Sequence, residues 1–408
     1  MSARRVAITG VGLVSPIGNS LHAASAALRE GRHGILVQEK WGAIGNLATR
    51  LAAPAVLDAS GYTRKTVRTM GRVALLAAIA SDQAVADAGL SPDQLRDGSV
   101  GLAYGSTHGS SSELEEFTRS LFRENSLKGL PSTSYLKFMS HTCAANLAMH
   151  YGVTGRIITT CAACVSSSQA IGFGYEAIKF GLQDAMICGG AEELHFTHAG
   201  VFDIMYATSN KFNDRPDLSP RPFDTRRDGL VIGEGAATVV LEDWDRARAR
   251  GAQIYAEVLG YGTNCDGRHM TNPSAEGMAG AMRLCLKDAG TSADAIDYVN
   301  AHGTATELGD IAEAQATAQV VGLEVPFSST KSFTGHTLGA CGSIEVAFCL
   351  AMMRDGFLAP TRNLDEVDPR CAPLDYVRGG ARQARPRTIM TNNFAFGGMN
   401  TSLLLRSA

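Results

Sequence analysis

Two periods of apolar residues alternate along the 408-residue chain. Short continuous apolar runs read as buried strands, and longer stretches with an apolar residue every three or four positions read as helices. Arg5 to Thr9 predicts a strand, ended by Gly10-Val-Gly12. Val73 to Gly89 predicts a helix closed by its glycine, and Val100 to Tyr104 a strand leading into Gly105-Ser-Thr-His-Gly109. Gly155 to Thr160, Val165 to Phe180 and Ala185 to Cys188 predict strand, helix and strand, a βαβ unit ending in Gly189-Gly190. Ile171, Tyr175, Ile178 and Leu182 share one face of its helix, with Gly181 at the C-terminal end.

The second part repeats the pattern. Ile254 to Leu259, Asp297 to Asn300, Phe327 to Lys331 and Thr388 to Thr391 read as strands. Met278 to Gly290, Ile311 to Val321 and Ser343 to Arg354 read as helices. No Pro/Ser-rich linker separates the parts, so the pattern predicts two similar α/β halves packed together, residues 1–255 and 256–408. In such sheets ligands bind beyond the carboxyl ends of strands. Cys164, His302, Lys331, His336 and Phe396 all follow a predicted strand, which places them in one region.

Composition narrows the class. At 45% hydrophobic and 19% charged the chain can bury a large core. A net charge of −3, from 37 Lys+Arg and 40 Asp+Glu, argues against nucleic-acid binding over the whole surface. Nine cysteines, mostly single and in apolar surroundings, suit a reducing compartment rather than a disulfide framework. The stretch Met1 to Ile8 lacks a signal-peptide apolar core, and no apolar run reaches the ~18 residues of a membrane span. The expectation is a soluble cytoplasmic protein. Gly10-Val-Gly12 lacks the third glycine and the helix start of a dinucleotide fingerprint.

The richest chemistry lies in Cys161-Ala-Ala-Cys164, between a strand and a helix. A thiol at a helix start gains roughly 0.3–1 kcal/mol for its anionic form, which lowers its pKa by about one unit, while burial acts the other way. The pair reads as two small buried residues, a redox pair, half of a zinc site or a nucleophile. No second C-x-x-C or H-x3-5-H accompanies it to complete a structural zinc site. A nucleophile needs a neighbouring acid or base, which brings in His302 and His336, each beside a glycine, Gly303 and Gly335. Lys331 reads either as a surface lysine or as a partner of Glu345.

Together these motifs resemble the β-ketoacyl-acyl carrier protein synthases, elongating condensing enzymes of the thiolase-like fold. The resemblance spans nearly the whole chain. It rests on Val6 to Gly18, on Thr160-Cys-Ala-Ala-Cys164 with Gln169-Ala-Ile-Gly172, and on Arg221-Pro-Phe-Asp224 with Arg227-Asp-Gly229 and Gly233-Glu-Gly-Ala236. His302-Gly-Thr-Ala-Thr306, Lys331 to His336 with Leu338-Gly339, and Phe394 to Gly398 complete it. It implies a five-layered αβαβα sandwich of two βα halves. It also implies that Cys164 carries the acyl chain, that His302 and His336 drive malonyl decarboxylation, and that Lys331 and Glu345 support them. Backbone N–H groups of Cys164 and Phe396 would form the oxyanion hole, with Phe396 as gate. Thr304 and Thr306 would contact phosphopantetheine.

The partner implied is an acidic acyl carrier protein, docked by Lys65 and Arg68, with Arg64, Arg72, Arg123 and Lys128 as further basic positions. No metal or organic cofactor is implied, although some relatives hold a monovalent cation at the positions of Asn300, Glu345 and Asn392. A homodimer is expected, with a heterodimer as the alternative. The chain departs from the family at Gln169, in the run Ser166-Ser-Ser168, at Thr107 and His108, and at Ala395, where the family often has glycine. These positions bear on acyl-chain length and leave room for a polyketide or polyene pathway. A coenzyme A thiolase would need a second cysteine in Phe394 to Met399, which is absent. A non-catalytic chain-length subunit would usually lack the nucleophile that Cys164 supplies.

Overall fold

The computed structural model describes residues 3–408, so Met1 and Ser2 of the N-terminal stretch lie outside the described residues. Eleven strands form one sheet: β1 (Val6–Val14), β2 (Val100–Gly105), β3 (Ile157–Thr160), β4 (Ala185–Glu192), β5 (Gly235–Asp243), β6 (Ala256–Cys265), β7 (Tyr298–Asn300), β8 (Pro326–Ser328), β9 (Asp375–Tyr376), β10 (Thr388–Phe394) and β11 (Met399–Ser407). Seven helices frame the site: α1 (Arg72–Ala88), α2 (Ser111–Glu124), α3 (Ser166–Lys179), α4 (Phe196–Ile204), α5 (Ala275–Ala289), α6 (Glu307–Val320) and α7 (Cys341–Asp355).

The halves are built alike. From β1 outward the first runs β1-β5-β4-β2-β3, and from β6 outward the second runs β6-β11-β10-β7-β8, with β9 added at the edge. In each the first two pairings are antiparallel and the next two parallel. The sheets meet where Val6, Ala7 and Ile8 pair with Val258, Glu257 and Ala256. α3 packs on β4 and β2 of the first half and on β6 and β11 of the second, while α7 packs on β5, β10 and α3. These two helices are therefore the central layer. α1 covers the outer face of the first half and α5 with α6 that of the second, giving the α, β, α, β, α layering expected of a thiolase-like fold.

Three strands run further than the sequence pattern indicates by crossing glycines, β6 doing so over Gly260-Tyr-Gly262 to Cys265. β1 continues across Gly10-Val-Gly12, and β4 across Gly189-Gly190 to Glu192. A Cβ on Gly12 would lie 1.8 Å from the carbonyl oxygen of Ala80 in α1. A Cβ on Gly262 would lie 2.2 Å from that of Ala281 in α5. The same Gly-x-Gly thus serves both halves, letting the outer helix sit directly on the strand. Leu182, expected on the buried face of α3, is 51% exposed because the helix stops at Lys179 and Gly181 turns the chain away at φ +72. Lys331 is not a strand end. β8 closes at Ser328, and Lys331 opens a short buried helix, Lys331–Thr334.

Among the described residues no helix is long and apolar enough to cross a membrane. Gly12→Ala and Gly262→Ala should each lower stability by about 1–3 kcal/mol or more, because backbone and not a flexible side chain occupies the space. Gly45→Ala, where nothing lies within 4 Å, should leave the thermal midpoint unchanged. Equal midpoints for all three variants would show that the helices do not seat on these strands as described.

Candidate active site

The turn between β3 and α3 carries Cys164. Ala163 just before it has φ +47, a left-handed backbone that a residue with a Cβ seldom adopts. Three serines hold the turn. Ser166 Oγ accepts the N–H of Ala162 at 2.9 Å and donates to the Ala163 carbonyl at 2.7 Å. Ser167 Oγ accepts the N–H of Ser343 at 3.0 Å, and Ser168 Oγ lies 2.7 Å from Thr401 Oγ1. The run Ser166-Ser-Ser168 thus ties the head of α3 to α7 and β11.

His336 Nε2 lies 2.9 Å from Cys164 Sγ. The His336 backbone crosses to the first half, donating its N–H to Val231 at 2.7 Å and accepting that of Gly233 at 2.9 Å. Behind the ring, the Leu338 N–H donates to Nδ1 at 3.2 Å. A neutral imidazole carries one N–H, so these partners assign it to Nε2, facing the sulfur. His302 repeats the arrangement by other means: its Nδ1 lies 3.2 Å from Lys331 Nζ, which can only donate. Its proton is therefore also on Nε2. The two rings meet edge to face with centroids 5.2 Å apart. Glu313 of α6 fixes the His302 loop by accepting the N–H groups of His302 and Gly303, both at 2.7 Å.

Lys331 is 1% exposed. Its ammonium contacts Glu345 Oε1, while Glu345 Oε2 accepts from Asn393 Nδ2 at 2.7 Å. Burial pulls the lysine pKa down, but the Glu345 charge outweighs it and the group stays cationic. Burial raises Glu345, against the opposing pull of Lys331 and Asn393. Burial, followed by the Lys331 charge, drives both imidazoles well below their ordinary value, so both are neutral at neutral pH. Burial pushes Cys164 up to about 12, with the Lys331 charge opposing. The dipole gain expected at a helix start is outweighed, since α3 begins at Ser166, past the thiol, and the thiol is buried. The Nε2–H of His336 is the group placed to stabilise sulfur once its proton leaves.

A cavity of about 600 Å³ opens onto this centre, with Cys164, His302, His336, Thr304, Thr306 and Phe396 on its wall. The hydroxyls of Thr304 and Thr306 lie 3.0 Å apart. The Phe396 ring packs on Phe202 at 5.5 Å. Lys331 and Glu345 stand behind the imidazoles. Cys161 is exposed, turns its thiol to the Thr107 carbonyl at 3.2 Å and forms no disulfide with Cys164. Lys65, Arg68, Arg123 and Lys128 are exposed on the surface, and Arg123 lies 3.5 Å from Glu124. Arg72 turns inward instead, with its guanidinium 2.7 Å from Glu234.

Sulfur and imidazole atoms of Cys164, His302 and His336 lie within 4.8 Å of one another. Both Nε2 atoms carry protons, however, and offer no lone pair to a metal. Nor do Asn300, Glu345 and Asn392 make a complete cation set. Asn392 is buried with both amide atoms unpartnered, but the Glu345 oxygens are already committed to Lys331 and Asn393. Sequence reasoning missed Glu313, Asn393 and the Leu338 N–H. The carboxylates Asp310 and Glu313, one turn apart in the alanine-rich α6, were a usable signal. A backbone N–H leaves none.

The family model "Beta-ketoacyl synthase, N-terminal domain" matches residues 3–247, and "Beta-ketoacyl synthase, C-terminal domain" matches residues 255–365. The 3-oxoacyl-[acyl-carrier-protein] synthase 1 of Escherichia coli (strain K12) is 39% identical over 407 residues, covering 99% of each chain. A crystal structure of a beta-ketoacyl synthase from Burkholderia phymatum STM815 superposes with a TM-score of 0.95 at 50% identity, covering 99% of this chain and 100% of that one. A chain of the ishigamide ketosynthase/chain length factor superposes at 0.92 with 32% identity, covering 100% of both.

Nitrogen NMR of the histidines should find His302 and His336 neutral, with the proton on Nε2, at every pH from neutrality down through the usual imidazole range. Lys331→Met removes a charge that lowers both values, so both should titrate at higher pH than in the wild type. Protonated Nδ1 atoms in the wild type, or unmoved values in the variant, would contradict the assignment.

Proposed function

Because the chain belongs to the beta-ketoacyl synthase family, we propose that it is a β-ketoacyl-acyl carrier protein synthase that lengthens an acyl chain held on Cys164 by decarboxylative condensation with malonyl-carrier. The observation that carries this reading is the pair of neutral Nε2–H donors converging beside one thiol, each with its Nδ1 filled from behind.

In the first half-reaction the Cys164 sulfur attacks the acyl thioester of the carrier. The acyl–sulfur bond to pantetheine breaks, one to Cys164 forms, and the thiol proton passes to the departing pantetheine sulfur. One thioester replaces another, so little driving force is needed. In the second half-reaction malonyl-carrier loses CO2. Its electron pair moves onto the thioester carbonyl, whose oxygen accepts from His302 and His336 Nε2–H. Donors already oriented in a dry site stabilise that developing charge without reorganising. The enolate carbon then attacks the Cys164 thioester, giving a β-ketoacyl chain two carbons longer and returning the sulfur. Backbone N–H groups of Cys164 and Phe396 are assigned to the oxyanion of this step, each worth about 3 kcal/mol. Decarboxylation supplies the carbanion without a strong base, and this scheme uses no metal or organic cofactor.

Thr304 and Thr306 are assigned to the pantetheine arm and the exposed Lys65, Arg68, Arg123 and Lys128 to the acidic carrier. A second chain is assigned to the free edge of the sheet. There Ile157 of β3 is 44% exposed. An unpaired strand with apolar side chains is a pairing surface. A homodimer fills it. So does a chain-length-factor-like partner, a second reading favoured by the full-length match to the ishigamide ketosynthase/chain length factor.

Intact-protein mass spectrometry after incubation with acyl-carrier should show one acyl adduct on the wild type and on Cys161→Ser, and none on Cys164→Ser. An adduct that disappears with Cys161→Ser instead would reject the assignment. His302→Ala and His336→Ala should still acylate but release CO2 from malonyl-carrier about 10²- to 10³-fold more slowly. Wild-type CO2 release in both would remove the imidazoles from the decarboxylation step.

A further inference from the structure

Beside the catalytic centre, where β4 ends, sits a second group of titratable side chains that no step above uses. His108, Glu192 and His198 each place a ligand-type atom within 4.8 Å of the other two. We propose that these three residues form a zinc site, with Nε2 of both imidazoles and one oxygen of Glu192 as ligands.

The hydrogen bonds here run opposite to those of the catalytic pair. His198 Nδ1 lies 3.1 Å from the Glu193 carbonyl, which only accepts, so the proton is on Nδ1. Its Nε2 lone pair faces the Ser111 hydroxyl at 2.7 Å, a partner that can be displaced. His108 Nδ1 lies 3.1 Å from Thr107 Oγ1, whose own proton goes to Glu192. Nδ1 is again the donor, and Nε2 keeps its lone pair. A donor bond from the far nitrogen to an oxygen is how metal-ligating histidines are usually held.

Glu192 is divided in the same sense. Its Oε2 accepts the N–H of Thr107 at 2.9 Å, that of Gly339 at 3.0 Å and the Thr107 hydroxyl. Its Oε1 has only Ser106 Oγ at 3.4 Å. One oxygen anchors the carboxylate and the other is spare. Two imidazoles with one carboxylate suit zinc, whereas magnesium and calcium prefer oxygen throughout.

His198 and Glu192 are buried and His108 is exposed, which leaves the fourth position open to water. The two rings lie 5.0 Å apart and nearly parallel. Zinc holds nitrogen and oxygen at about 2.0–2.2 Å, so its ligands come within roughly 3.5 Å of one another. His108 must therefore leave the stack and turn its Nε2 inward, exchanging its Nδ1 contact with Thr107 for another acceptor, as an exposed loop residue can.

Cobalt(II) titration of the full chain, read by its visible d–d bands, together with zinc dialysis and elemental analysis, tests the site. One equivalent of either metal should bind to wild type and to Cys164→Ala, without a sulfur-to-cobalt charge-transfer band. His108→Ala and the size-preserving His108→Gln should bind at least about 10-fold more weakly, while their metal-free melting temperature stays that of wild type. Undiminished binding in both His108 variants, binding lost in Cys164→Ala, or no binding by wild type would each overturn the proposal.

Discussion

A buried ammonium organises the catalytic centre. An isolated charge in a protein interior is costly, so Lys331 can occupy its place only because Glu345 meets it, and Glu345 is in turn held by Asn393. Such a pair adds little net stability, and its value lies in what it imposes on the neighbours. Burial first, and the positive charge after it, keep both imidazoles unprotonated, and one ammonium hydrogen fills the inner nitrogen of His302. The tautomer and ring orientation of His302 follow from where that one ion pair lies, while those of His336 rest on the Leu338 N–H. The sulfur, lacking an ion partner of its own and buried, is a neutral thiol until its proton is removed.

The internal repeat explains how distant segments meet. In each half a strand on the parallel side leads through a turn into a central helix: β3 into α3, and β8 into α7. The first of these turns carries Cys164 and the second carries His336, and α3 and α7 pack on each other in the middle layer. The heads of the helices touch directly, for the Cys341 thiol donates to the Cys164 carbonyl at 3.2 Å and the Ser343 N–H to Ser167 Oγ at 3.0 Å. Nucleophile and proton donor are thus structural equivalents, adapted to different tasks.

Much of this was legible in the chain itself. The alternation of strands and helices, the two similar halves and the convergence of Cys164, His302 and His336 follow from apolar periodicity and from the rule that sites lie past strand ends. What escaped is instructive. Gly10-Val-Gly12 and Gly189-Gly190 read as stops, because glycine is a turn residue by default. Here its missing side chain makes room for neighbouring backbone instead. Arg72 looked like one more surface charge, because its partner Glu234 is remote in sequence. Lys331 read as a strand end, because no local pattern tells a buried lysine from a surface one. The lock on His336 is a main-chain N–H and has no residue type to recognise.

The strand order also bears on how a newly made polypeptide matures. β11 follows the other ten strands along the chain, yet it is not a border strand but an interior one, between β10 and β6. The thiol turn is synthesised early, yet Thr401 of β11 braces Ser168 beneath it, and Asn393, which steadies Glu345, sits on the strand that β11 secures. Vectorial synthesis therefore cannot leave a nascent intermediate with a finished reactive centre. β11 acts as a keystone, and chemistry waits on its arrival.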